Sequence, residues 1–294
     1  MARWPLILGA VVAALGAGWF LTRPAPLADN TLDGLTPDAA RGAVIFAAAG
    51  CASCHTSEEG PDTLLTGGKR FASPFGTFVA PNISSDPVHG VGGWSDLELA
   101  SAIVAGVSQD GSHLYPAFPY TSYNKADMQD VVDLIAHMRT LPASDVPSLP
   151  HDISFPFNLR AALGPWKALF VSEQWVLATA ETDALERGRY LVEALGHCAE
   201  CHTPRGALGG LQGDQWMAGA PNPSGEGRIP NITPAALQWS ERDIAEYLKS
   251  GFTPDFDSAG GEMVAVIKNT SQLTDADRAA IAAYLKAIPA IANP

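Results

Sequence analysis

Hydrophobic positions in this chain form a few short helical stripes separated by long stretches rich in glycine and proline. Val131, Leu134, Ile135 and Met138 recur at the spacing of one helix face, and so do Ile281, Tyr284, Leu285 and Ile288. Ile244, Tyr247 and Leu248 mark another helix, which starts at Ser240. Ser95 and Glu98 have the spacing of a capping box, so a helix is predicted to begin there. Residues 66–81 and 206–234 are too interrupted for long strands. The pattern predicts a mostly α fold whose helices alone make a poor core. A large apolar group would complete it.

The pattern also repeats. Arg41-Gly42 returns as Arg187-Gly188, Pro81-Asn82-Ile83 as Pro230-Asn231-Ile232, and Trp94-Ser95 as Trp239-Ser240. Each copy closes on a helical run, ending at Leu141-Pro142 and at Ile288-Pro289. A long-period duplication means two domains of one kind, here residues 37–142 and 182–292. The joint, residues 143–181, starts proline-rich but holds Phe155, Phe157, Leu159, Leu163, Trp166, Leu169 and Phe170. It is expected to glue the domains together; the alternative is a docking surface for a partner or a membrane.

At the start, residues 5–21 are nearly all apolar and follow Arg3, with Trp4, Trp19 and Phe20 near the ends. Such a run is about the shortest that spans a bilayer, and it also fits the core of a signal peptide. The best cleavage position, residues 26–28, offers proline where a small residue is wanted. Residues 1–24 are therefore expected to stay as an anchor in the inner membrane, with the rest in the periplasm. A soluble periplasmic protein after cleavage is the alternative.

Of the 294 residues 47% are hydrophobic, enough for packed domains, and the formal net charge is −13. That balance argues against nucleic acid and favours a partner with a basic docking patch.

All four cysteines fall in two copies of Cys-x-x-Cys-His: Cys51, Cys54, His55 and Cys198, Cys201, His202. This is the attachment signature of c-type haem. Two thiols add to the two vinyl groups of one porphyrin, and the adjacent histidine coordinates iron. A disulfide within either pair would close a very tight loop, and a zinc site would want the pairs closer in sequence. A thioredoxin-type pair would follow a strand, whereas residues 42–50 read as helix.

The chain resembles the bacterial dihaem cytochrome c family and is similar to the cytochrome subunits of membrane-bound alcohol dehydrogenases. Residues 196–205, 230–233 and 115–120 carry the resemblance. It implies two tandem cytochrome c domains and two covalently attached haem c groups. It places the distal methionine of the second haem at Met263, with Met217 as competitor. In the first domain, aligning the closing helices sets Met263 opposite Pro116, while those relatives carry methionine where this chain has Phe118. His113, Met128 or no side chain at all then remain for the first iron. Asn82, Asn231, Trp94 and Trp239 recur and either face the haems or pack. Arg70, Arg205 and Arg228 are candidates for the propionates, with surface charge as the plainer reading.

The expected function is single-electron transfer from a dehydrogenase or a quinol-oxidising complex to another cytochrome or a terminal oxidase. A dihaem redox enzyme acting on thiosulfate or peroxide through the first haem is the alternative.

Overall fold

The computed structural model describes residues 8, 16, 18–57, 61, 63–223 and 227–292. Most of the expected anchor, residues 1–24, lies outside the described residues. Among the described residues no helix is long and apolar enough to cross a membrane.

The first domain opens with α1 (Ala39–Ala48), N-capped by Asp38, whose carboxylate accepts from the Ala40 and Arg41 N–H groups. A left-handed Gly50 then starts the short helix α2 (Cys51–His55). Strands β1 (Arg70–Ser73) and β2 (Gly76–Val79) form a hairpin. Helix α3 (Asp96–Ala105) begins at Ser95 with the expected capping box, and α4 (Tyr120–Tyr123) is a single turn. The closing helix is α5 (Met128–Met138).

The joint folds back on the first domain. Its strand β3 (Asp152–Ile153) pairs antiparallel with β2, and its helix α6 (Leu163–Phe170) lies against the end of α3. The Trp166 indole donates to the Leu208 carbonyl at 2.8 Å, and the Val176 and Leu177 N–H groups donate to Glu193. The segment therefore touches both domains, as expected of a glue. Phe155 and Leu169 nevertheless stay largely exposed.

The second domain repeats the plan: α7 (Asp183–Arg189), α8 (Ala199–His202), the short pair β4 (Ala220–Pro221) and β5 (Arg228–Ile229), then α9 (Glu241–Ser250), α10 (Met263–Thr270) and α11 (Asp275–Ala287). Both loop regions hold only strands of two to four residues, in keeping with their broken sequence.

The repeated Arg-Gly pairs now have a reason. Opening and closing helices cross at the glycine: a Cβ on Gly42 would sit 1.9 Å from the Asp133 carbonyl, and one on Gly188 2.0 Å from that of Ala280. The preceding arginine ties the same two helices. Arg41 Nε donates to Asp133 at 2.8 Å, and Arg187 Nε to Asp277 at 2.7 Å. Between the crossings runs one apolar core shared by both domains, including Ile45, Ile135, Leu191, Ile244 and Leu285.

The copies differ in one element. After α7 the chain continues as a π-helix, Tyr190–Leu195, where α1 stays α-helical. Glu193 on this turn is fully buried and accepts from Tyr284 Oη at 2.7 Å besides the two joint N–H groups. Burial, reinforced by Glu193, raises the Tyr284 phenol well above its ordinary value.

Candidate haem sites

Each attachment motif occupies a single helical turn, so its two cysteines and its histidine are one turn apart. None of the four cysteines is in a disulfide. Burial pushes Cys51 up to about 12, with Cys54 adding to it, and pushes Cys54 and Cys198 up to about 11.

The two histidines are held alike. His55 Nδ1 donates to the Pro81 carbonyl at 2.9 Å, and His202 Nδ1 to that of Pro230 at 2.8 Å. Burial lowers both imidazoles, against the opposing pull of these carbonyls, and favours the neutral ring. A neutral imidazole fixed through Nδ1 presents Nε2 as its lone-pair donor, which is what a proximal iron ligand requires.

A glycine in each domain sets this geometry. Gly67 and Gly219 are left-handed, with φ of 72° and 84°. Their N–H groups donate to the carbonyls of His55 and His202 at 2.7 and 2.8 Å. A Cβ on Gly67 would lie 2.4 Å from the Ala80 and Pro81 carbonyl oxygens, and one on Gly219 2.7 Å from that of Ile229. Only glycine lets the proline loop pass close enough to reach the histidine. The sequence alone marked these stretches as loops but did not single out these two residues.

The same comparison decides the role of Met217. Ile232 N–H donates to the Met217 carbonyl at 2.9 Å as Ile83 N–H does to that of Leu65 at 3.0 Å. Met217 therefore fills the core position that Leu65 fills in the first domain, and both are fully buried. Asn82 and Asn231 also act within the fold. Asn82 Nδ2 donates to the Ser144 and Val146 carbonyls, and Asn231 Nδ2 to that of Ile291, pinning each proline loop to the segment after the closing helix. Arg205 pairs with Glu200, and Arg70 lies 4.0 Å from Asp152.

The distal side is read from the loops after α3 and α9. Isolated bridges join Val107 to His113 in one and Phe252 to Ser258 in the other. The Leu114 N–H to Gly106 carbonyl bond, 2.8 Å, is matched by Ala259 to Gly251, also 2.8 Å. Counting five residues on from each bridge sets Met263 opposite Phe118. This corrects the pairing with Pro116. That pairing rested on the closing helices, and α10 has eight residues where α4 has four. The inserted residues lie between the distal position and the closing helix.

His113 lies five residues before Phe118 in this register. It stands opposite Ser258, and its Nε2 donates to the Thr22 carbonyl at 3.0 Å. Burial and the nearby Lys167 lower its imidazole. Met128 opens α5 and lines a cleft with Leu27, Tyr120 and Lys167 rather than the histidine loop. Phe118 packs edge-on against Tyr123, ring centroids 5.7 Å apart.

The two sites meet. Asn269 Nδ2, on α10, donates to Ser53 Oγ, inside the first motif, at 2.6 Å. Thr121 Oγ1, on α4, donates to Glu200, inside the second motif, at 2.8 Å. Each attachment turn thus touches the distal helix of the other domain, an approximately twofold arrangement. Lys69 adds a bridge to the Ser53 carbonyl and to Glu262. His197 reaches across as well, its Nε2 donating to the Ala49 carbonyl at 3.2 Å and its ring against Tyr123. Cys201 lies close enough to add to the rise of the Cys54 thiol, although burial is the larger cause.

Comparison with known proteins agrees with this geometry. The family model described as cytochrome c matches residues 39–142 and again 185–289. A protein of Cereibacter sphaeroides named diheme cytochrome c-type is 55% identical over 287 residues, 97% of each chain. The fructose dehydrogenase cytochrome subunit of Gluconobacter japonicus is 37% identical over 98% of this chain, which spans 60% of that subunit. The cytochrome c subunit of the quinone-type alcohol dehydrogenase of Gluconobacter oxydans is 34% identical over 85% of this chain, 55% of that subunit. With a free cysteine pair and a carbonyl-oriented histidine in each of two matching domains, the chain belongs to the cytochrome c family and carries two covalently bound haem c groups.

Proposed function

We propose that this protein is a periplasmic electron carrier that passes single electrons between its two haems and on to another redox protein. The observation that carries the reading is the meeting of the attachment turns across the domain interface, through Ser53, Asn269, Thr121 and Glu200. When bound, each haem supplies a one-electron iron couple. The chain's residues do the rest. Cys51 and Cys54 would hold one group and Cys198 and Cys201 the other, with Cys54 and Cys201 near each other across the interface. His55 and His202 stay neutral and fixed, and Gly67 and Gly219 keep them so. Met263 is the distal ligand of the second iron. Phe118, at the matching position, leaves the first iron without a side-chain ligand from the distal loop.

The upstream donor is a dehydrogenase or a quinol-oxidising complex, and the acceptor is another cytochrome or an oxidase. The relatives named as dehydrogenase cytochrome subunits support the first half of that chain. The apolar run at residues 5–21 behind Arg3 supports an inner-membrane anchor. N-terminal sequencing of the mature protein tests the anchor: a start near Asp29 overturns it.

Rapid mixing of the oxidised dihaem protein with half an equivalent of electrons tests the relay. Redistribution between two spectrally distinct haems within milliseconds is expected; haems that never equilibrate would overturn it. Phe118 favours a second reading, an enzyme acting at an open first iron. Sustained turnover of thiosulfate or hydrogen peroxide without a partner protein would establish that reading in place of the carrier.

A further inference from the structure

The two distal loops are copies in backbone and opposites in cover. In the first domain the loop lies under the joint. Lys167 Nζ donates to the Ala105 and Gly106 carbonyls at 2.8 and 2.7 Å and stands over the Tyr120 ring. Arg160 donates to the His113 carbonyl at 2.7 Å, and Val107 is buried. In the second domain the same backbone is bare. Phe252, opposite Val107, is 63% exposed, Val264 is 56% exposed, and Phe256 is 97% exposed.

Phe256 is the telling residue. Its φ is +64°, and by the register of the bridges it stands where the first domain has Gly111, φ +74°. A glycine makes this turn without strain, whereas a side chain with a Cβ is disfavoured there. A strained aromatic that touches almost nothing in its own chain is not serving the fold. Around it the loop of residues 251–264 carries Asp255, Asp257 and Glu262 and no lysine or arginine. Asp255 and Asp257 are exposed. The loop runs directly into Met263.

We infer that this face is the docking surface for a basic redox protein. The partner's apolar contact area covers Phe252, Phe256 and Val264, and its lysines meet Asp255 and Asp257, as α6 and Lys167 cover the first-domain loop. The inference rests on the carrier reading above. One electron leaves this chain and reduces the partner, with no bond or proton exchanged. A second copy of this chain or an anionic membrane would meet the acids, and the net charge of −13, with repulsion.

The test uses the intact dihaem protein, reduced, with a small, strongly basic ferric mitochondrial-type cytochrome c as probe. Tris(phenanthroline)cobalt(III) serves as a second oxidant too small to need the surface. Phe256→Gly should slow reduction of the protein probe roughly ten-fold at low ionic strength, and Asp255→Lys by a similar factor. Calorimetry should show the probe's Kd weakened to match. Phe256→Gly should leave the cobalt rate and the thermal midpoint unchanged or the midpoint higher, since it removes strain. Unchanged rates and Kd for the protein probe in both variants would overturn the docking inference alone. A wild-type protein unable to reduce even the cobalt complex would overturn the carrier reading and this inference with it. A dimer seen in sedimentation and lost in Phe256→Gly would overturn the inference by giving the face to a second copy.

Discussion

Met263 and Phe118 occupy one register position in two domains that otherwise copy each other. A thioether binds iron and a phenyl ring does not, so the proposed relay has two unequal sites. Phe118→Met should therefore give the first haem a second methionine–iron charge-transfer band and shift it to low spin. Unchanged spectra would mean that the residue does not face the iron. At Gly67, Ala is expected to destabilise the haem-loaded protein by about 1–3 kcal/mol, because its Cβ would overlap backbone oxygens at a left-handed position. Guanidinium unfolding measures this, and an unmoved midpoint would show that the loop relaxes freely. The motif residues were legible in sequence because their chemistry fixes residue type and spacing. Gly67, Gly219 and the register partner of Met263 were not, because each depends on which backbone segments approach one another across a loop of unknown path. The place of the His113 ring was hidden for the same reason: it is near the distal position in sequence, and the fold turns it to Thr22.

At the scale of elements, the helix crossings and their arginine–carboxylate ties set the frame. Asp133 is buried on α5 and accepts from Arg41, the Asp38 N–H and Gln129. Burial pushes its carboxyl up, and these bonds outweigh that and hold it below the usual range. Its folded value is thus below the unfolded value of about 3.9. The stabilisation it gives is complete above that pH and is lost as pH falls through the folded value. Asp133→Asn should lower stability near neutrality by about 1–3 kcal/mol and flatten the acid limb of stability against pH. An acid limb as steep as in the wild type would remove Asp133 from the account. The helices themselves were legible: the apolar stripes and the Ser95 capping box appear as α3, α5, α9 and α11. The π-turn with buried Glu193 was not, since a glutamate in a helical run reads as surface. Its partners, Tyr284 and the joint, come from distant sequence.

The whole molecule combines an internal near-twofold with an external asymmetry. Internally, each attachment turn rests on the other domain's distal helix. Externally, the joint covers the first distal loop and leaves the second open beside its acids. The duplication and the cofactor were visible in sequence, whereas this polarity was not, because it depends on where the joint folds back. Under the proposed relay, electrons would run from the first haem to the second and out past Met263, on the face the joint leaves open. The central claim is that two haems of unequal ligation act as a one-electron relay. A potentiometric titration of the holoprotein, followed by absorbance and electron paramagnetic resonance, tests it most directly. Two one-electron steps are expected, the higher belonging to a low-spin, methionine-ligated haem and the lower to a haem lacking that ligand. Two indistinguishable low-spin His/Met haems titrating together would contradict the account.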